Sequence, residues 1–187
     1  ASDVYKRQPQ QEADMDIKAT LNNLLIPYTS NYAGTLLPGI REYTVTPGEK
    51  TTTISGKGKA GLKQEENYYF FYLPDCYKGI TGKSYAYYNT SRSKNLYLPA
   101  SVDENYSYDI QLPENLTLCT PIQEKKIDNP IGSFKITLTS EGSSLHIELA
   151  LQIKKQLITP AEYPAFRSLI TEWTDRTRKP ILFKTVQ

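Results

Sequence analysis

The chain has 187 residues, enough for one large domain or two small ones with a substantial buried core. Its 22 basic and 20 acidic side chains are mixed along the sequence and leave a net charge of +2, so no electrostatic field favours nucleic acid or an anionic membrane as a partner. No apolar run, Leu24-Leu25-Ile26-Pro27 included, approaches the roughly 20 residues that a membrane span requires.

Tyrosine is over-used, with 15 residues against 5 phenylalanines and 1 tryptophan, and aromatic residues are enriched in strands. The residues ASDVYKRQ at 1–8 read as an adapter-derived scar and are left out of the fold. No initiator Met and no charged-then-apolar leader is present, so a piece of a longer protein is expected. MDIKATL alternates apolar and polar residues as a half-buried strand does. EYTVT and TTTIS follow as β-branched strands joined through Pro47-Gly48, which reads as a hairpin. NYYFFYL carries aromatic residues on both faces, and SYAYYN follows as a further strand. These segments make up a β-rich part over 9–90 that could form a subdomain.

A second part, 91–187, has a cleaner pattern. NLYL, YSYDIQL and LTLCT are each closed by a proline, at Pro99, Pro113 and Pro121. NPIG at 129–132 is a turn, and GSFKITLTS passes through Ser140-Glu141-Gly142-Ser143 into SLHIELALQIKK. In the second arm Leu145, Ile147, Leu149, Leu151 and Ile153 share one face, opposite His146, Glu148, Ala150 and Gln152, and the first face is expected in the core. Thr159-x-x-Glu162 has the spacing of a capping box. Tyr163, Phe166, Leu169, Ile170 and Trp173 then recur at helical offsets as a stripe expected to pack on a sheet, with Pro164 pushing the regular helix start towards that proline. ILFKTV closes the chain as a strand. The fold expected is mainly β, with antiparallel sandwich-like layers and one amphipathic C-terminal helix.

Few motifs carry chemistry. Gly56-Lys57-Gly58-Lys59-Ala60-Gly61 matches G-x-G-x-x-G, but only Leu62 to Asn67 separate it from the next strand, too few residues for a parallel crossover with its helix. It reads as a glycine-rich turn, and no cofactor is expected. Cys76, Cys119 and the single histidine, His146, are too few for a metal clip and show no setting that would lower a thiol pKa. The cysteines could pair or stay free, and neither catalytic nor metal residues are assigned. The tyrosines between 68 and 97 are expected mainly to line a core or sheet interface. The alternative is a face built on Tyr69, Tyr85, Tyr87 and Tyr88 that grips glycan or peptide through ring area and polar tips. ENYYFFYLP and ENYSYDIQLP differ by one residue before Leu-Pro, which exchanges strand faces, so they read as two unlike strands rather than a duplication.

NYYFFYLPDCYKGI, RSKNLYLP, ENYSYDIQLP, the NPIGSF turn and ITPAEYPAFRSLITEW before ILFK together resemble the C-terminal β-domain, of unknown function, found in transglutaminase-like multidomain proteins of Bacteroidota. The resemblance implies a periplasmic or cell-surface setting and an accessory role beside a Cys-His-Asp core in the same polypeptide. None of that core's motifs has a matching position here, so the chain is expected not to be an enzyme by itself. The rival expectations are a Tyr-rich glycan- or peptide-binding module and a cysteine-dependent enzyme using Cys76 or Cys119.

Overall fold

The computed structural model describes residues 11–22, 40–73, 88, 90–175, 177 and 180–186. The larger sheet begins with β1 (Glu12–Asn22), β2 (Ile40–Pro47) and β3 (Thr51–Gly61). It is completed by β7 (Val102–Gln111), β9 (Gln123–Asn129), β10 (Gly132–Glu141) and β11 (Ser144–Ile153). Its seven strands lie in the order β2-β3-β1-β7-β11-β10-β9, each antiparallel to its neighbours. A second sheet joins β4 (Lys63–Glu65), β5 (Tyr68–Tyr72), β13 (Pro180–Thr185) and β8 (Leu116–Leu118) in the order β4-β5-β13-β8. β6 (Leu96–Tyr97) and β12 (Leu157–Ile158) form a short pair. Among the described residues one helix, α1 (Tyr163–Trp173), links β12 to β13. The described residues are therefore mostly β, with antiparallel sheets and no closed barrel.

Period-two alternation gives the larger sheet one apolar face and one polar face. Ala13, Met15, Ile17, Ala19 and Leu21 of β1 are buried beside Val102, Tyr106, Tyr108 and Ile110 of β7. Phe134, Ile136 and Leu138 of β10 continue that face beside Leu145, Ile147, Leu151 and Ile153 of β11. Phe71, Ile181 and Phe183 of the smaller sheet and the stripe of α1 join the same apolar cluster. All five stripe residues are buried, and the helix packs against β10 and β11. Trp173 sits on the rings of Tyr106 and Phe134, with centroids 6.0 and 6.5 Å away.

The turn chemistry explains the connections. Gly142, at φ +58°, lies between the paired residues Glu141 and Ser144, where the two-residue turn of a hairpin needs a positive φ. The Asn129 side chain accepts from the backbone N–H of Ile131 and Gly132, at 2.9 and 3.3 Å, and closes the β9–β10 turn. Before α1, Glu162 reaches back to the backbone N–H and hydroxyl of Thr159, both at 3.0 Å, which is one half of a capping box. The helix starts at Tyr163, with Pro164 inside its first turn, where the missing N–H costs nothing.

Three expectations need correction. The run from Gly56 to Gly61 is not a turn but the second half of β3. Lys57 and Lys59 point outward to Asp16 and Asp14, while Gly56 and Gly58 lie opposite Ile17 and Met15 in the register, so small residues on one strand face bulky ones on the other. The strand β9 was not expected, and its polar QEKKIDN lies at the sheet edge. Of SYAYYN, expected as a strand, only Tyr88 lies within the described residues, and its backbone is helical. The two Glu-Asn-Tyr runs are indeed unlike: Glu66 and Asn67 form a turn before β5, with Glu66 at φ 53°, whereas Glu104 and Asn105 lie within β7 of the other sheet.

Candidate functional site

The densest group of ionisable side chains among the described residues lies on the polar face of the larger sheet. Strand register aligns Asp16 of β1, Asp109 of β7 and His146 of β11 in one row, with Lys18, Ser107 and Glu148 in the next. His146 Nδ1 lies 2.6 Å from Asp109 Oδ1, and its Nε2 lies 3.4 Å from Glu148 Oε1. Glu148 also accepts from Lys135 Nζ at 3.0 Å and from the Thr137 hydroxyl at 3.4 Å. Lys57 pairs with Asp16 at 3.2 Å. Together Asp14, Asp16, Asp109, Gln111, Glu141 and His146 line part of a shallow hollow of about 420 Å³.

The electrostatics follow from these contacts. The hydrogen bond to Asp109 raises the His146 pKa above its ordinary 6.5, partial burial opposes it, and the bond to Glu148 adds to the rise. Lys135 first, and His146 second, lower the Glu148 carboxyl. Both imidazole nitrogens thus face carboxylates, and a doubly donating imidazolium is the form this setting favours. A base in a nucleophilic triad needs one nitrogen aimed at a hydroxyl or thiol, which this arrangement does not provide.

Cys119 carries a free, half-buried thiol at the end of β8, where its backbone N–H donates to Leu182 of the smaller sheet. It lies on a different sheet from His146. Cys76 lies outside the described residues. Among the described residues no group of three or more His, Cys, Asp or Glu is placed to hold a metal ion, and no helix is long and apolar enough to cross a membrane.

Of the four tyrosines singled out as a binding face, Tyr85 and Tyr87 lie outside the described residues. Tyr69 and Tyr88 are half-buried against the apolar cluster. Tyr88 meets Phe166 edge-on at 5.5 Å, and its backbone carbonyl accepts from the Tyr163 hydroxyl at 2.5 Å. The exposed rings lie on the opposite face of β5: Tyr68 is 44% and Tyr72 52% exposed, with Phe70 half-buried between them. In register beside them on β13 stand Pro180, Leu182 and Lys184, and Lys63 lies over the Tyr72 ring at 5.4 Å from its centroid. Alternation within YYFFY marks two faces, but the sequence does not say which of them meets the core. The sequence places His146 and Glu148 on one strand face but does not show that Asp109 joins them, because only the order of strands in the sheet brings β7 and β11 together.

No curated protein matches the chain. A solved structure described as a putative protease from Parabacteroides distasonis ATCC 8503 is similar at 32% identity and a TM-score of 0.57. The match covers 64% of this chain and 24% of that one, so the chain spans about a quarter of that neighbour's length. A family model described as a domain of unknown function with a solved structure, DUF3858, matches residues 68–183, from the first residue of β5 to Phe183 in β13. That stretch holds nine of the thirteen strands in whole or part, all but β1 to β4, together with the helix and most of the shared core, and it is more than half of the sequence: the chain belongs to the DUF3858 family.

Proposed function

We propose that the chain is a non-catalytic accessory β-domain of a secreted or periplasmic transglutaminase-like protein, in which it supports or positions a catalytic core of the same polypeptide. The observation that carries this reading is the unequal coverage of the Parabacteroides match, 64% of this chain against 24% of a longer chain described as a putative protease. A module of this size leaves most of such a chain for other domains. The His146 geometry supports the same reading, because both of its nitrogens are engaged by carboxylates and Cys119 stands on the other sheet. The test is an assay of the purified 187-residue chain with amidase, protease and transglutaminase substrates. No turnover is expected. Turnover that disappears in Cys76→Ala or Cys119→Ala would overturn the proposal in favour of a cysteine-dependent enzyme.

A second reading, a surface module for glycan or peptide, is favoured by the exposed rings of Tyr68 and Tyr72. Saturable binding of a soluble oligosaccharide or peptide, lost in Tyr72→Ser, would select it.

A further inference from the structure

A cleft of about 530 Å³ runs along the outer flank of α1, with Arg167 and Thr171 on the helix side and Ser91 and Arg92 on the other. Its volume lies within the range of small-molecule sites. Pro160 and Pro164 give it an apolar end. The Arg92 guanidinium lies over the Tyr163 ring, 5.7 Å from its centroid. It is also close enough to Tyr88 that its charge lowers the phenol pKa against the larger raising effect of burial. Tyr163 and Tyr88 are themselves fixed, by the hydroxyl-to-carbonyl bond between them and by their contacts with Phe166. Arg92 is thus held by aromatic groups that are part of the core. Glu172, the acidic residue of the lining, pairs with Lys125 at 2.5 Å. Among the described residues that line the cleft, Arg92 and Arg167 are cationic and Glu172 is anionic.

We propose that this cleft binds an oxyanion, carboxylate or phosphate, borne on a small apolar body. Two guanidiniums present planar forks of N–H donors that match either oxyanion in bidentate fashion, and the Ser91 and Thr171 hydroxyls can add further hydrogen bonds. The proline rings and the Tyr163 edge receive the apolar part. Nothing in this site depends on whether the chain is an accessory domain.

Calorimetric titration of the full chain with benzoate and with phenyl phosphate tests the assignment and separates the two oxyanions on one apolar body, with benzyl alcohol as the neutral control. Saturable binding of at least one anion is expected, without binding of benzyl alcohol, and it should weaken as ionic strength rises from about 0.01 to about 0.1 M. Arg167→Gln changes an exposed residue and should weaken binding by about tenfold or more, while Arg167→Lys should keep part of it. Arg92→Gln should do the same if its circular dichroism matches that of the unaltered chain, and Arg167→Gln decides the matter if it does not fold. No binding of either anion up to about 10 mM, equal binding of benzyl alcohol, or an affinity unmoved in Arg167→Gln would each overturn the proposal.

Discussion

Held between Asp109 and Glu148, the His146 imidazole is more stable in its charged form than it would be in the unfolded chain, and this makes folding stability depend on pH. The folded pKa lies above the unfolded 6.5, so the stabilisation is fully present below about pH 6.5 and is lost as pH rises through the higher folded value. The side chain is 40% exposed, and solvent screening limits the effect to at most about 1 kcal/mol. Urea midpoints measured from about pH 5.5 to about pH 8.5 should therefore fall slightly, and His146→Gln should flatten that slope. A larger effect is expected at Gly132. A Cβ there would lie 1.8 Å from the backbone oxygen of Gln152, in the strand paired with it, and backbone cannot swing aside as a side chain can. Gly132→Ala is expected to cost about 3 kcal/mol, read as a lower denaturation midpoint, because the strands must separate locally to admit one methyl group. An unchanged midpoint would mean that β10 shifts freely against β11.

At the scale of elements, α1 clasps the apolar face of the larger sheet. Trp173 is 7% exposed and lies on Tyr106 and Phe134, so Trp173→Ala should cost about 3 to 5 kcal/mol in chemical denaturation. Its Nε1 is buried with no hydrogen-bond partner among the described residues, so Trp173→Phe gives up no such bond and should cost much less. A midpoint for Trp173→Ala within error of the unaltered chain would show that the stripe contributes little to the fold. The helix was legible because its apolar offsets and its Thr159-to-Glu162 spacing agree with one another. The β10–β11 hairpin was legible for the same reason, alternation and turn residues pointing to one register. β9 was not, since an edge strand with polar residues on both faces has no apolar period to read. The glycines of β3 misled in the opposite direction: turn chemistry and a strand that must accommodate Met15 and Ile17 both call for small residues, and only the partner strand distinguishes them. The polar site was hidden more deeply, because His146, Asp109 and Asp16 come from three strands far apart in sequence.

The family match and the larger sheet do not share a boundary. The match begins at residue 68, yet β1, β2 and β3 lie before it and supply three of the seven strands. β1 is central to the sheet, paired with β3 on one side and with β7 on the other over Asp14 to Leu21. It also places Ala13, Met15, Ile17, Ala19 and Leu21 in the shared core. A chain cut to residues 68–187 would therefore lose β1 to β4, leaving the backbone N–H and C=O groups of β7 unpaired along one edge. An edge of that length beside Tyr106, Tyr108 and Ile110 is a template for pairing with other chains. Each large apolar side chain of β1 contributes roughly 1.5 to 3 kcal/mol through burial, so losing Met15, Ile17 and Leu21 removes a large share of the roughly 5 to 15 kcal/mol that holds a typical domain together. The truncated chain is expected to aggregate or to lack a cooperative thermal transition, whereas the 187-residue chain is expected to melt cooperatively. Size-exclusion chromatography with a circular-dichroism melt checks this. A monodisperse, cooperatively melting 68–187 chain would show instead that the family's segment is an autonomous folding unit, with β1 to β3 added to a sheet that is already stable without them.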